Sequence, residues 1–156
     1  MKFANKEFLY YWKIIKVPTY VLIGWSVIGF ILAAISFPLY MSIFSAGVSW
    51  LLMIAVFGFI GWTAIKDHKQ TIKIAAWSGA LAGAVAGFAG GIISILMFYF
   101  VPSITLYAAS QAGVDPLAVQ GVMKIAIYIG LITGPLFSAL IGAAISAIAA
   151  LIAKKV

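Results

Sequence analysis

The chain has 156 residues, 65% of them hydrophobic and only 8% charged, against about 25% charged in ordinary soluble domains. That is too little charge to cover a water-exposed surface of this size, so lipid is the solvent the composition calls for. The net charge of +7 comes wholly from lysine, and these lysines flank apolar runs, which points to an anionic membrane surface and away from nucleic acid. There is no Cys, which excludes disulfides, thiol catalysis and cysteine-ligated metals.

Residues 2–16 form an amphipathic pattern. On a helix turning 100° per residue, Lys2, Lys6, Lys13 and Lys16 fall within about 80° of one another, with Phe3, Phe8, Tyr11, Ile14 and Ile15 opposite. The pattern predicts a helix lying in the membrane interface with its lysines on anionic headgroups, each contributing about 1 kcal/mol. The same lysines also make a topogenic flank. The segment is long and aromatic and a second span follows almost at once, so it reads as part of the mature protein and not as a cleaved leader.

From Val17 to Ile65 no residue is charged. A helix needs about 20 apolar residues to cross a bilayer, so this run holds two spans, 17–36 and 47–65. The break falls between Phe37-Pro38 and Gly47, where proline disfavours helix at the residue before it and Ser42, Ser45 and Gly47 tolerate a turn. A charged loop, Lys66-Asp67-His68-Lys69 with Lys73, precedes span three (74–101), which stops at Pro102. Gly113-Val114-Asp115-Pro116 reads as a turn, with Asp115 as N-cap and Pro116 at the first helical position. The helix it opens leads into span four, 125–152. Spans three and four, each near 42 Å at 1.5 Å per residue, exceed the hydrocarbon thickness and should tilt, kink or project.

The fold class expected is therefore all-α: a polytopic integral membrane protein with four transmembrane helices, an N-terminal amphipathic interfacial helix (1–16) and a transmembrane domain (17–156). Lysine placement puts both termini and the middle loop in the cytoplasm, as a multi-pass protein of the cell membrane. Trp62 and Trp77 bracket the middle loop, while Tyr40, Trp50, Tyr99 and Tyr107 lie near the outer boundary.

Two ladders of small residues stand out. Gly79, Gly83, Gly87 and Gly91 recur every fourth position in span three, and Gly130, Gly134, Ser138, Gly142, Ser146 and Ala150 do so in span four. In lipid, helices are held by close backbone approach and interhelical polar contacts, which small residues permit. The ladders are thus candidate packing faces, for each other or for another chain, and their correspondence also fits an inverted pair of the kind transporters use. Trp77, Leu81, Val85, Phe88, Ile92 and Ile95 make the opposite face of span three bulky. Pro135 removes a helical N–H and clashes with the Leu131 carbonyl, so a kink is expected, with Thr133 beside it to satisfy a freed carbonyl.

No Asp, Glu, Lys, Arg or His falls within the expected spans, which argues against a proton-coupled pump. The three acids, Glu7, Asp67 and Asp115, are scattered, which argues against carboxylate catalysis. His68 is the one histidine, short of the three or four ligands a metal needs. No serine has a His or Lys partner in a span, and no phosphate-cradling GxxxxGK[ST] motif occurs. No metal, cofactor or catalytic residue is expected.

Gly79–Gly91, Gly130–Gly134-Pro135 and Ala153-Lys154-Lys155 give the second half of the chain its character. It resembles small uncharacterised four-span prokaryotic membrane proteins with Gly/Ala-rich helices. That resemblance implies the membrane fold and carries no activity. The function expected is a non-catalytic membrane subunit or scaffold, acting by helix packing in a homo-oligomer or beside other membrane subunits. The alternative is an oligomeric transporter or channel for a small neutral solute or ion, with Ser94, Thr133, Ser138, Ser146 and the carbonyls freed by Pro135 lining its path.

Overall fold

A computed structural model describes residues 2–3 and 6–156. Two short strands, β1 (Lys2–Phe3) and β2 (Lys6–Glu7), pair antiparallel with Lys2 opposite Glu7. Six helices follow: α1 (Phe8–Ile35), α2 (Phe37–Ile43), α3 (Ala46–Lys66), α4 (Ile72–Phe100), α5 (Pro102–Ala112) and α6 (Pro116–Lys155). Of these, α1, α3, α4 and α6 are long and apolar enough to cross a membrane.

The breaks between helices follow local chemistry. Ser36 is extended and ends α1, and Pro38 sits in the first turn of α2, where its missing N–H costs nothing. The region expected to be a loop thus contains a short helix, because Phe37–Ile43 holds no turn-forming pair beyond that proline. Ser45 caps α3 by accepting from the Val48 N–H, and Thr71 caps α4 by accepting from Ile74. Gly113, at φ +66°, ends α5 in the left-handed conformation glycine adopts without cost. Asp115 accepts from the Leu117 N–H at 2.7 Å to open α6, with Pro116 in the first turn.

The N-terminal segment differs from the expected interfacial helix. Residues 2–3 and 6–7 form the strand pair, and α1 starts at Phe8 and runs through the expected boundary at 16/17 and through Pro18. Part of the apolar face foreseen for lipid is covered by protein: Tyr11, Ile14 and Ile15 are buried with Phe57, Ile60 and Ile74, while Phe8 stays exposed and the side chain of Phe3 lies outside the described residues. Protein atoms pack more densely against these rings than acyl chains do, and the face is continuous with the span's own buried stripe through Leu22. Lys13 and Lys16 occupy the first turns of α1. The side chains of Lys2 and Lys6 lie outside the described residues.

α6 is a single helix of 40 residues, about 60 Å at 1.5 Å per residue. It therefore extends beyond any hydrocarbon core of about 30 Å. It also packs beside α5. Within the bundle α3 and α4 touch each other, α1 packs on both, and α6 packs on both, its longest interface being with α4. Lys66, Lys69, Lys73, Lys154 and Lys155 gather at the end where α3 stops, α4 starts and α6 stops, hereafter the lysine end. α2 and α5 mark the opposite, distal end. Ile28 and Ile31 of α1, Leu51 and Phe59 of α3, Phe88 and Ile92 of α4, and Ile132, Leu136 and Leu140 of α6 are exposed, an apolar girdle far larger than a soluble monomer tolerates.

Candidate functional site

The two small-residue ladders meet within one chain. Gly79 faces Gly142 reciprocally: a Cβ on either would overlap the other's carbonyl oxygen. One turn on, a Cβ at Gly83 would overlap the Ser138 carbonyl. At Gly87 it would lie 2.9 Å from Pro135 Cα, and at Gly91 2.9 Å from Leu131 Cδ1. Toward the lysine end, Ala75 and Ala150 are fully buried together with Ala64. The result is an antiparallel seam in which α4 and α6 touch backbone to backbone, close enough for weak Cα–H···O contacts.

Ser146 fixes a third helix to this seam. Its hydroxyl is fully buried and donates to the Phe57 carbonyl of α3 at 2.8 Å. Its own carbonyl lies where a Cβ at Gly61 of α3 would sit, and its Oγ where a Cβ at Gly79 would sit. Three helices thus converge on one serine, with glycine on two of them. The partnership with α3 went unseen in the sequence, where Phe57, Gly61 and Ala64 form a mixed four- and three-residue spacing and not a uniform ladder.

Not every ladder position joins the seam. A Cβ at Gly130 would meet nothing within 4 Å, and one at Gly134 would only graze the Gly87 carbonyl at 4.0 Å. A four-residue repeat drifts about 40° per step on a 3.6-residue helix, so three steps from Gly142 carry Gly130 out of the face. Leu131 and Pro135 take its place. Helical geometry continues across Pro135. Thr133, expected to satisfy the carbonyl freed at Leu131, donates instead to Ile129 O at 3.1 Å.

The distal half is looser. A cleft of about 360 Å³ lies among α1, α2, α3, α4 and α6. Its deep end is at Phe57, Gly87 and Ser138, midway along the bundle, and its distal end is at Tyr40, Ser94 and Met97. A second hollow of about 230 Å³ shares Tyr40, Ser94 and Met97 and continues toward α5 and α6. Of the serines and threonine foreseen as path-lining, Ser94 and Ser138 line the cleft, while Ser146 is sealed in the helix junction and Thr133 lies outside both hollows.

Aromatic rings shape the cleft. The Phe44 ring sits against the bare backbone of Gly29, where a Cβ would come within 2.9 Å, and packs on Trp25 at 4.2 Å between centroids. Tyr40 stacks on Phe44 at 5.4 Å and meets Phe37, which in turn meets Tyr107 of α5. The polar groups are sparse. Ser26 Oγ donates to Leu22 O and Ser94 Oγ to Gly90 O, leaving their lone pairs free to accept. The indole N–H of Trp25 is buried without a hydrogen-bond partner, a donor that normally finds one. Tyr40 is the one ionisable side chain in the wall, and burial pushes its phenol above its ordinary value, so it stays neutral. The cleft was not foreseen, since its α1 wall (Leu22, Trp25, Ser26, Gly29) depends on which helix α1 packs against.

The acids serve as local structure: Asp67 is the C-cap of α3, Asp115 the N-cap of α6, and Glu7 belongs to β2. Among the described residues no group of three His, Cys, Asp or Glu is placed to hold a metal. No protein-family model, curated protein or solved structure matches this chain.

The seam yields a direct expectation. Gly83→Leu and Gly142→Leu would drive side chains into opposing backbone, which cannot yield as a side chain can, at a cost above the about 1–3 kcal/mol of ordinary overpacking. Thermal unfolding of dilute monomer in detergent should show a large loss for both. Gly130→Leu and Leu140→Ile, on the open faces of α6, should behave like the parent. Equal behaviour of all four would show that α4 and α6 are not in backbone contact.

Proposed function

We propose that this chain is a non-enzymatic membrane protein that takes up a small, neutral, largely apolar molecule in its distal-half cleft. The observation that carries the reading is the cleft itself: its size falls in the usual range for small-molecule pockets and its wall holds no charge. A neutral ligand with one or two hydrogen-bond acceptors suits the Trp25 indole N–H, and the free lone pairs of Ser26 and Ser94 suit a hydroxyl. This develops the transporter alternative, with the binding site inside one chain and not between chains. The packing-subunit reading rests on the ladders, whose partner the sequence leaves open, with the small size and the lack of reactive groups. With the seam closed, its support moves to Gly130, whose face α4 leaves uncovered.

Gly90 supplies the test. A Cβ there has only Ser26 Oγ, at 4.0 Å, so a leucine would project into the cleft without displacing backbone. Titration with 1-octanol should raise the melting temperature of the parent saturably, as ligand binding to the folded state requires. Gly90→Leu should fold normally and lose the saturable part. The effect should be the same from about pH 5 to pH 9, because the only titratable wall group has a raised pKa and is neutral throughout. A saturable shift retained in full by Gly90→Leu would remove the cleft as the site.

The orientation proposed places the lysine end in the cytoplasm and the cleft on the outer side, on the strength of lysine placement. In intact cells, Gln111→Cys should react with an impermeant thiol reagent and His68→Cys should not. The reverse pattern would invert the orientation.

A further inference from the structure

At the lysine end a shallow cavity of about 500 Å³ lies between the α3–α4 turn and the end of α6. Lys69, Thr71, Lys73 and Lys154 form its rim and Ile65 and Ile72 its floor. These lysines come from two stretches far apart in sequence, the α3–α4 junction and the end of α6, and no carboxylate lines the cavity. The first turn of α4, which holds no acidic residue, contributes the positive end of a helix dipole.

Lys69 occupies a telling position. Its N–H donates to Ile65 O at 3.1 Å, and that of Gln70 donates to Ala64 O at 2.9 Å. The first is the bond of an αL-type helix end, from the C′ N–H to the carbonyl four residues back, with Lys69 at the left-handed position, φ +51°. Glycine is the residue that favours this position. The chain places a lysine there instead, on the rim of the cavity, although glycine would close the helix with less strain. The exposed rings of Trp62 and Trp77 lie near the same end on α3 and α4, the arrangement that seats a helix end at headgroup level.

We propose that this cavity binds a phosphate-bearing anion, and that its occupant is the headgroup of an anionic phospholipid whose glycerol end rests on Ile65 and Ile72. The three ammonium groups and the α4 N-terminus supply the charge complement. The apolar floor favours a lipid over free phosphate. The site is separate from the cleft of the proposed function and does not depend on it.

The test uses the full chain in uncharged detergent, followed by native mass spectrometry while phosphatidylglycerol, phosphatidylcholine or inorganic phosphate is added. Phosphatidylglycerol should be retained at least about tenfold more tightly than phosphatidylcholine. Lys73→Gln and Lys154→Gln should each weaken it about fivefold, the effect of one lysine near a headgroup. Lys69→Gly is the decisive variant: glycine suits the turn, so the melting temperature should hold or rise while phosphatidylglycerol binding falls by a similar factor. Retention of phosphatidylglycerol no better than phosphatidylcholine, or unchanged by all three substitutions, would overturn the proposal. Inorganic phosphate that displaced the lipid at equal concentration would assign the site to a free phosphate and overturn the lipid assignment.

Discussion

Backbone contact between α4 and α6 is the constraint on which the rest of the bundle depends. Lipid tails are as apolar as leucine, so burial of apolar side chains supplies little net drive for helices to associate in a bilayer. What remains is dispersion, which needs many atoms at optimal separation, and interhelical hydrogen bonds. Glycine at 79, 83 and 87 brings one helix against the peptide groups of the other. In water a mid-helix glycine costs about 1 kcal/mol relative to alanine. In lipid an unfolded backbone cannot be satisfied, so the helix persists and that cost is outweighed by the contact.

The tight seam also determines where the bundle is open. Near the lysine end, Ser146 joins α3 to the seam through the Phe57 carbonyl, and Gly61 and Gly79 let all three helices close around it. Toward the distal end, larger residues come against the helices: Leu131 faces Gly91, and the Phe44 ring packs on the α1 face at Gly29 and Trp25. The helices separate there and leave the cleft. Its wall is built of rings, methionine thioethers and four serines, two of which, Ser26 and Ser94, are bonded to their own helix, a surface for neutral molecules. Charge is concentrated at the other end, where Lys69 and Lys73 of the α3–α4 junction meet Lys154 of α6 around the shallow cavity. The two ends of the bundle are thus chemically distinct because packing residues and charged residues are segregated along the chain.

Much of this organisation was legible in the sequence, for physical reasons that can be named. Uninterrupted apolar runs bounded by lysines mark four membrane-length helices, and Pro38, Pro102 and Asp115-Pro116 mark where helices restart. The ladders were legible as packing faces because glycine at fixed spacing has one clear use in lipid. Which helix would face them was not legible, since small residues suit any close partner, within the chain or outside it. The helical drift that removes Gly130 and admits Leu131 and Pro135 is a three-dimensional consequence of spacing on a 3.6-residue turn. The N-terminal segment departs from the expected interfacial helix because its apolar stripe is equally suited to lipid and to protein, and only the bundle supplies Ile60 and Ile74 to cover Tyr11 and Ile15. Lys69 reads in sequence as one of several loop lysines, and its left-handed backbone becomes apparent only from the hydrogen bonds that close α3.

The central claim, that the ladders of α4 and α6 close on each other inside a single chain, is tested most directly by cross-linking. The protein has no native cysteine, so Ala75→Cys and Ala150→Cys can be combined on a clean background and oxidised with a membrane-permeant oxidant. The account predicts a disulfide within the monomer, seen as faster migration on a non-reducing gel at unchanged mass, independent of dilution. A covalent dimer whose yield falls on dilution, with no intramolecular bond, would contradict it.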